Sequence, residues 1–217
     1  MEIKGVVFDM DGVLVDNMPL HIEAFAIFCK RFGGNDNWEE VINNSVGMGN
    51  DEILKMMMPA EVIEKYGTAE LAREKEAIYR EIYASRIEPV AGLKELLAEF
   101  KSRGIKCAVG SSGCKENVEF VIDSCGIREY FDVLIYSDLV TRCKPDPEIY
   151  QLAISKLGVK AEETLVFEDA VNGVIAAKGA GAGKIIALDT TLEREVLAKE
   201  SGVDRIISDF REVLGVL

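Results

Sequence analysis

One stretch, MEIKGVVFDMDGVLV at residues 1–15, constrains this chain more than any other. Gly5 to Phe8 is a short apolar, β-prone run of the kind that makes a buried strand. It runs straight into Asp9, and Asp11 follows two residues later. Gly12 then permits a tight turn with positive φ. A carboxylate at the end of a buried parallel strand faces the crevice where open α/β sheets bind ligands. Two carboxylates there repel each other unless a cation or a proton intervenes. A strand that ends in an ordinary polar turn, rich in Asp and Gly, would explain the same residues. Three later strand ends decide between these readings: Ser111, Lys144 and the pair Glu168–Asp169.

After Val15 the pattern changes. Leu20, Ala24, Ile27, Phe28 and Phe32 form a helical stripe over 17–32, which Gly33 and Gly34 stop. Further helices are expected at 38–46, 52–58, 60–66 and 69–85, and no strand pattern falls between 16 and 86. Met56, Met57 and Met58 are expected as core filler. From Pro89 strands and helices alternate. Strands are expected at 105–110, 133–136, 164–167, 184–188 and 205–207. Helices are expected at 91–102, 115–125, 147–157, 171–180 and 192–200, and 210–214 ends the chain. This order predicts an α/β fold with a Rossmann-like parallel sheet and right-handed crossovers. The expected division is a core of 1–15 and 86–217 with an all-helical cap of 16–85.

The net charge of −13, with no Lys/Arg cluster, argues against nucleic acid as a partner. An acidic protein can still take an anionic substrate where a metal and a lysine reverse the local field. Five cysteines, at 29, 107, 114, 125 and 143, are odd in number and form no CxxC pair. That fits a reduced, cytoplasmic protein. No apolar run approaches the ~18 residues of a membrane span, and the first residues lack a signal-peptide pattern. A monomer acting on a small metabolite is expected.

The strand ends suggest phosphoryl chemistry. An Asp9 carboxylate attacking phosphorus would give an aspartyl phosphate and split hydrolysis into two easier steps. Asp11 would protonate the leaving oxygen and then activate water. The Ser111 hydroxyl and the amides after it could hold a phosphoryl oxygen near the helix at Lys115. The run SSG could equally be a helix N-cap. Lys144, before Pro145, could neutralise phosphate charge and keep Asp9 ionised, although a lone lysine in a loop, like nearby Arg142, is usually solvated. Glu168 and Asp169, with Asp9, make a hard all-oxygen set that suits Mg²⁺. Asp169 could also N-cap the helix at Val171.

With FDMDGVLVD, these positions resemble the four motifs of the haloacid dehalogenase-like hydrolases, the aspartate-nucleophile phosphatases. The β-phosphoglucomutase-like branch, with a small helical cap after the first motif, is most similar. The resemblance implies the same roles for Asp9 and Asp11, and makes the Asp11 carbonyl a magnesium ligand. It implies phosphate binding by Ser111, with Ser112 and Gly113 lining that loop. It makes Asp169 the firmer metal ligand and Glu168 a direct or water-mediated one. It places His21, the single histidine, where a histidine helps position the acid/base. The cap is then expected to close over the strand ends, exclude water and choose the leaving group. Four acidic side chains, Asp9, Asp11, Glu168 and Asp169, are expected around one cation.

Two other motifs are declined. GAGAGK at 179–184 ends a helix and opens a strand, the reverse of a phosphate loop. GMG at 47–49 has no preceding strand.

The leading function is Mg²⁺-dependent hydrolysis of a small phosphate ester or pyrophosphate, and the rival is a sugar phosphomutase. A dehalogenase is less fitting, because that branch lacks the second aspartate. A receiver-like signalling module is discounted because the DxD comes first and a long insert follows it. A mutase needs a second phosphate site in the cap, which an arginine and a lysine help supply in the resembling branch. Aligned through Gly47, those positions hold Asn50 and Val46, and Asp51 would oppose a phosphate. Lys55, one turn later, could compensate, which leaves the mutase reading open. Gly47, Met48 and Asn50 are therefore expected to face the leaving group of a monophosphate.

Overall fold

The computed structural model of the protein describes residues 2–43 and 50–217. The chain forms two compact units, Met1–Asp16 with Glu88–Leu217, and Asn17–Ile87.

Among the described residues, six strands of the first unit make one parallel sheet: β1 (Gly5–Phe8), β2 (Lys106–Gly110), β3 (Val133–Ile135), β4 (Thr164–Glu168), β5 (Lys184–Leu188) and β6 (Arg205–Ile207). Their order is β3-β2-β1-β4-β5-β6. β1 therefore lies inside the sheet, with Phe8 opposite Val109 on one side and Phe167 on the other. Every residue of β1 and β4 is buried, as expected for strands covered on both faces.

The second unit is helical: α1 (Met18–Phe32), α2 (Trp38–Asn43), α3 (Asn50–Met57), α4 (Ala60–Tyr66) and α5 (Thr68–Tyr83). Pro19 opens α1, where a missing N–H costs nothing. Phe25 and Phe28 of α1 and Leu71, Ile78 and Tyr79 of α5 are buried as these helices pack together. The three methionines do not share one fate. Met57 and Met58 are buried, but Met56 is 44% exposed, because the buried stripe of α3 runs through Ile53, Leu54 and Met57.

The remaining helices are α6 (Leu93–Ser102), α7 (Lys115–Ser124), α8 (Glu148–Leu157), α9 (Val171–Gly179) and α10 (Arg194–Leu197). α10 is shorter than the expected 192–200. Leu197 is its one buried residue, too little apolar face to hold a longer helix. The end of the chain makes a 3₁₀ turn at Phe210–Val213.

Alternate strand residues face opposite ways, and the two faces have different fillings. On one face Phe8 stacks on Phe167 with centroids 5.0 Å apart, and Phe210 meets both edge-on. Each such ring contributes about 1.5–3 kcal/mol by leaving water. On the other face Val7, Ala108 and Val166 pack against Ile149, Tyr150 and Ala153 of α8 and Val174 and Ala177 of α9. This packing leaves the carboxyl ends of β1, β2 and β4 as the place where polar side chains gather. No described helix is long and apolar enough to cross a membrane.

Candidate active site

Asp9 follows β1 directly, and its amide donates to Phe167 O at 3.0 Å. The chain then folds back on itself. Met10 O accepts from Leu14 N at 2.8 Å, and Gly12 N donates to Val15 O at 2.8 Å. Gly12 has φ of 73°, and a β-carbon there would stand 2.0 Å from Asp169 Oδ2. Glycine is thus required for both the turn and the approach of Asp169. The Thr190 hydroxyl donates to Gly12 O and ties the turn to the end of β5.

Glu168 is fully buried at the end of β4. Its Oε1 accepts from Lys144 Nζ at 2.7 Å and from the Tyr150 hydroxyl. Its Oε2 accepts from Asp169 N at 2.9 Å and Ala170 N at 3.1 Å. Glu168, and not Asp169, therefore serves the amides ahead of α9, whose N-cap is Ala170. The N-cap role considered for Asp169 is corrected, because α9 has no side-chain cap bond and the Asp169 carboxylate lies against Gly12 instead. The Glu168 carboxylate sits in a slot beside Gly173, where a β-carbon would come 1.7 Å from Oε1.

Lys144 Nζ lies 3.0 Å from Asp9 Oδ1 and 2.8 Å from Tyr150 Oη, in addition to its bond with Glu168. Burial works against its charge, but Asp9 and Glu168 outweigh burial and raise its pKa. The Lys144–Pro145 peptide is cis. Arg142 is exposed and pairs with Asp146 at 3.0 Å. Glu148 accepts from the amides of Thr141 and Arg142, each at 3.0 Å, and so holds the loop before Lys144.

Oxygens of Asp9, Glu168 and Asp169 all lie within 4.8 Å of one another. Burial pushes the Asp9 carboxyl up to about 7, Lys144 pulls against this, and Glu168 and Asp11 add to it. Burial, then the charges of Glu168 and Asp9, hold Asp169 well above the usual carboxylate range. Three crowded carboxylates against one ammonium leave an excess of negative charge. A hard divalent cation would offset it, so this donor set fits Mg²⁺. The Asp11 side chain is outside the group. Its Oδ2 lies 3.7 Å from where a Gly113 β-carbon would be. Among the described residues the converging carboxylates are those of Asp9, Glu168 and Asp169, while Asp11 acts on Asp9 through its charge.

Ser111 is buried after β2, and its amide donates to Ile135 O at 3.0 Å. Its hydroxyl accepts from Gly113 N at 3.0 Å, while Ser112 is exposed. The N-cap of α7 is Cys114, which makes no side-chain cap bond, so the N-cap reading of SSG is also corrected.

In the helical unit, His21 stacks on Tyr79 with centroids 4.1 Å apart, and Lys75 Nζ meets its Nδ1 at 2.9 Å. Lys75 and Glu76 form a buried pair at 2.9 Å. Asn50 Nδ2 donates to Glu76 Oε1 at 2.7 Å. Burial opposes ionisation of Glu76, but Lys75, His21 and the bonds from Asn50 and Lys75 prevail and hold its carboxyl down at about 2. Sequence reasoning missed Lys75 and Glu76, since adjacent helix residues normally diverge. It also missed Tyr150 and Gly173, which carry no motif of their own. Gly47 and Met48 lie outside the described residues.

Relatives share this arrangement of elements. A phosphorylated carbohydrates phosphatase of Thermotoga maritima is 32% identical over 99% of this chain and 98% of its own length. The crystal structure of CbbY from Rhodobacter sphaeroides in complex with phosphate superposes with a TM-score of 0.83 at 30% identity, covering 99% of this chain and 97% of that one. A CbbY variant in complex with xylulose-(1,5)bisphosphate gives a TM-score of 0.84 at 30% identity and the same coverage. A family model described as a haloacid dehalogenase-like hydrolase matches residues 3–181. With the strand-end carboxylates and lysine in place, the chain belongs to the haloacid dehalogenase-like hydrolase family.

Proposed function

We propose that this protein is a Mg²⁺-dependent phosphatase that hydrolyses a small phosphate ester, such as a sugar monophosphate, through an aspartyl phosphate. The observation that carries this reading is Lys144 held 3.0 Å from Asp9 while Glu168 and Asp169 converge on the same point. Asp9 is the nucleophile and bonds to phosphorus as the ester oxygen leaves. Asp11 gives that oxygen its proton, then takes one from the water that cleaves the acyl phosphate. Ser111 and the amides of its loop hold a phosphoryl oxygen, and Lys144 offsets the charge that builds on the group. Asp9, Asp169 and the Asp11 carbonyl would hold Mg²⁺, with Glu168 beside them. Bound there, the ion would supply Lewis-acid stabilisation of the phosphoryl oxygens. The two relatives named support phosphorylated carbohydrates as the substrate class.

The cap favours a phosphatase over a mutase. Asn50, at the position of the expected arginine, is engaged with Glu76. Lys55 is paired with Asp51, whose carboxylate would oppose a second phosphate. The test gives the protein β-glucose 1-phosphate with catalytic bisphosphate and Mg²⁺, and follows glucose 6-phosphate and free phosphate separately. A panel of other monophosphates and pyrophosphate runs beside it. Free phosphate should dominate with at least one substrate. Efficient isomerisation with little phosphate release would instead establish a mutase.

A further inference from the structure

Tyr150 stands in the first turn of α8 with its ring fully buried. A β-carbon on Gly110 would come within 3.2 Å of ring atoms Cδ1 and Cε1, so β2 ends on a glycine that leaves room for the ring. The hydroxyl extends to the strand ends. It accepts from Lys144 Nζ at 2.8 Å and donates to Glu168 Oε1.

An ammonium group has three N–H donors and no acceptor. Around Lys144 there are three acceptors: Tyr150 Oη at 2.8 Å, Glu168 Oε1 at 2.7 Å and Asp9 Oδ1 at 3.0 Å. Two of them are anchored from behind. The amides of Asp169 and Ala170 grip Glu168, and the core grips the Tyr150 ring. With two protons committed to fixed acceptors, the direction of the third is fixed as well, and it points to Asp9. Phenylalanine would fill the same core volume. It would remove one acceptor from Lys144 and one donor from Glu168, leaving a buried N–H without its match.

We propose that Tyr150 is a positioning residue whose hydroxyl, by bridging Lys144 and Glu168, aims the Lys144 ammonium at Asp9. Tyr150 acts through Lys144, so this role rests on the reading of Asp9 and Lys144 given above.

The test is Tyr150→Phe in the full chain, with two readouts. In steady-state kinetics with Mg²⁺ and the best phosphate ester, kcat should fall about 10–100-fold, the range for partners that orient a reacting group. KM should change by less than about threefold, since the substrate-binding loop is untouched. The second readout needs no turnover. Nitrogen-15 NMR at low temperature observes the Lys144 ammonium, identified by the signal that Lys144→Arg removes. Held by three acceptors, its protons should exchange slowly and give a resolved signal in the native protein. In Tyr150→Phe that signal should weaken strongly or vanish, while the rest of the spectrum keeps its dispersion. An ammonium signal of native intensity in Tyr150→Phe overturns the proposal, with or without a fall in kcat, because the effect would not run through Lys144. Unchanged kcat overturns it too. Should the native protein turn over no phosphate ester, the proposed function fails, and the ammonium signal alone decides the role of Tyr150.

Discussion

Gly173 and Glu168 meet so closely that a β-carbon on the glycine would stand 1.7 Å from the carboxylate oxygen Oε1. That oxygen already takes the hydrogen bonds of Lys144 and Tyr150, and its twin takes two backbone amides. The carboxylate has nowhere to retreat. Gly173→Ala should therefore destabilise the core by about 3 kcal/mol or more, the upper range for overpacking, with the disturbed ion pair added. The melting midpoint should drop by roughly 5–10 °C. A thermal melt within a degree of the native protein would contradict the slot.

The buried Lys75–Glu76 pair makes the helical unit sensitive to acid. The folded Glu76 carboxyl titrates at about 2, below its ordinary value of 4.5. A depressed carboxyl stabilises the fold fully above the unfolded pKa. That contribution is lost as pH falls from 4.5 toward 2. Glu76→Gln leaves Lys75 buried without a counter-charge and should cost on the order of 3 kcal/mol at neutral pH. Urea titrations of both proteins at neutral pH, and at steps below pH ~4.5, should show the gap narrowing with acid. A gap that stays constant would remove Glu76 as its source.

Turnover of a phosphate ester should vanish in EDTA and return with Mg²⁺. Ca²⁺ should support less, because its larger and looser coordination misplaces nucleophile and phosphate. Isothermal titration of Mg²⁺ into the native protein and into Asp169→Asn should give much weaker binding for the variant. Full activity in metal-free buffer would sink the acidic-site argument.

The two aspartates of the first loop should separate by chemistry. Asp9→Asn should form no phosphoenzyme. Asp11→Asn keeps the nucleophile but loses proton transfer, and should cost roughly 10²–10⁴-fold in kcat. Rapid quench with a labelled ester distinguishes them, since only the second variant should still trap label on the protein. Most of the turnover surviving in Asp9→Asn would exclude covalent catalysis through that residue.

The sheet and the helical insert were legible in sequence because their signals are local. Four-residue apolar runs such as Gly5–Phe8 and alternating helices leave few arrangements open. Strand ends were legible for the same reason, as Asp9 and Ser111 each follow a strand and Glu168 ends one. The supporting groups were not legible. Tyr150 reads as an apolar position of α8, and only the packed ring shows its hydroxyl reaching Lys144 and Glu168. Gly173 reads as a weak spot in a helix until the carboxylate beside it is seen. The N-cap readings failed because serine and aspartate caps are a statistical habit. Here Ser111 bonds its own loop and Asp169 faces the Gly12 turn.

β1 is translated before both of its neighbours in the finished sheet, β2 and β4. Asp9 thus leaves the ribosome long before the residues that give it meaning. The helical unit must follow, then β2 and Ser111, then Lys144, and last of all β4 ending in Glu168, with Asp169 after it. Until residue 169 emerges, the first strand has no partner on one side and Asp9 lacks the carboxylates of Glu168 and Asp169 beside it. A nascent chain paused earlier carries the aspartate on a strand edge open to other chains. Chaperone capture of stalled chains should accordingly be strongest before β4 appears, and the site should be assembled in one late step.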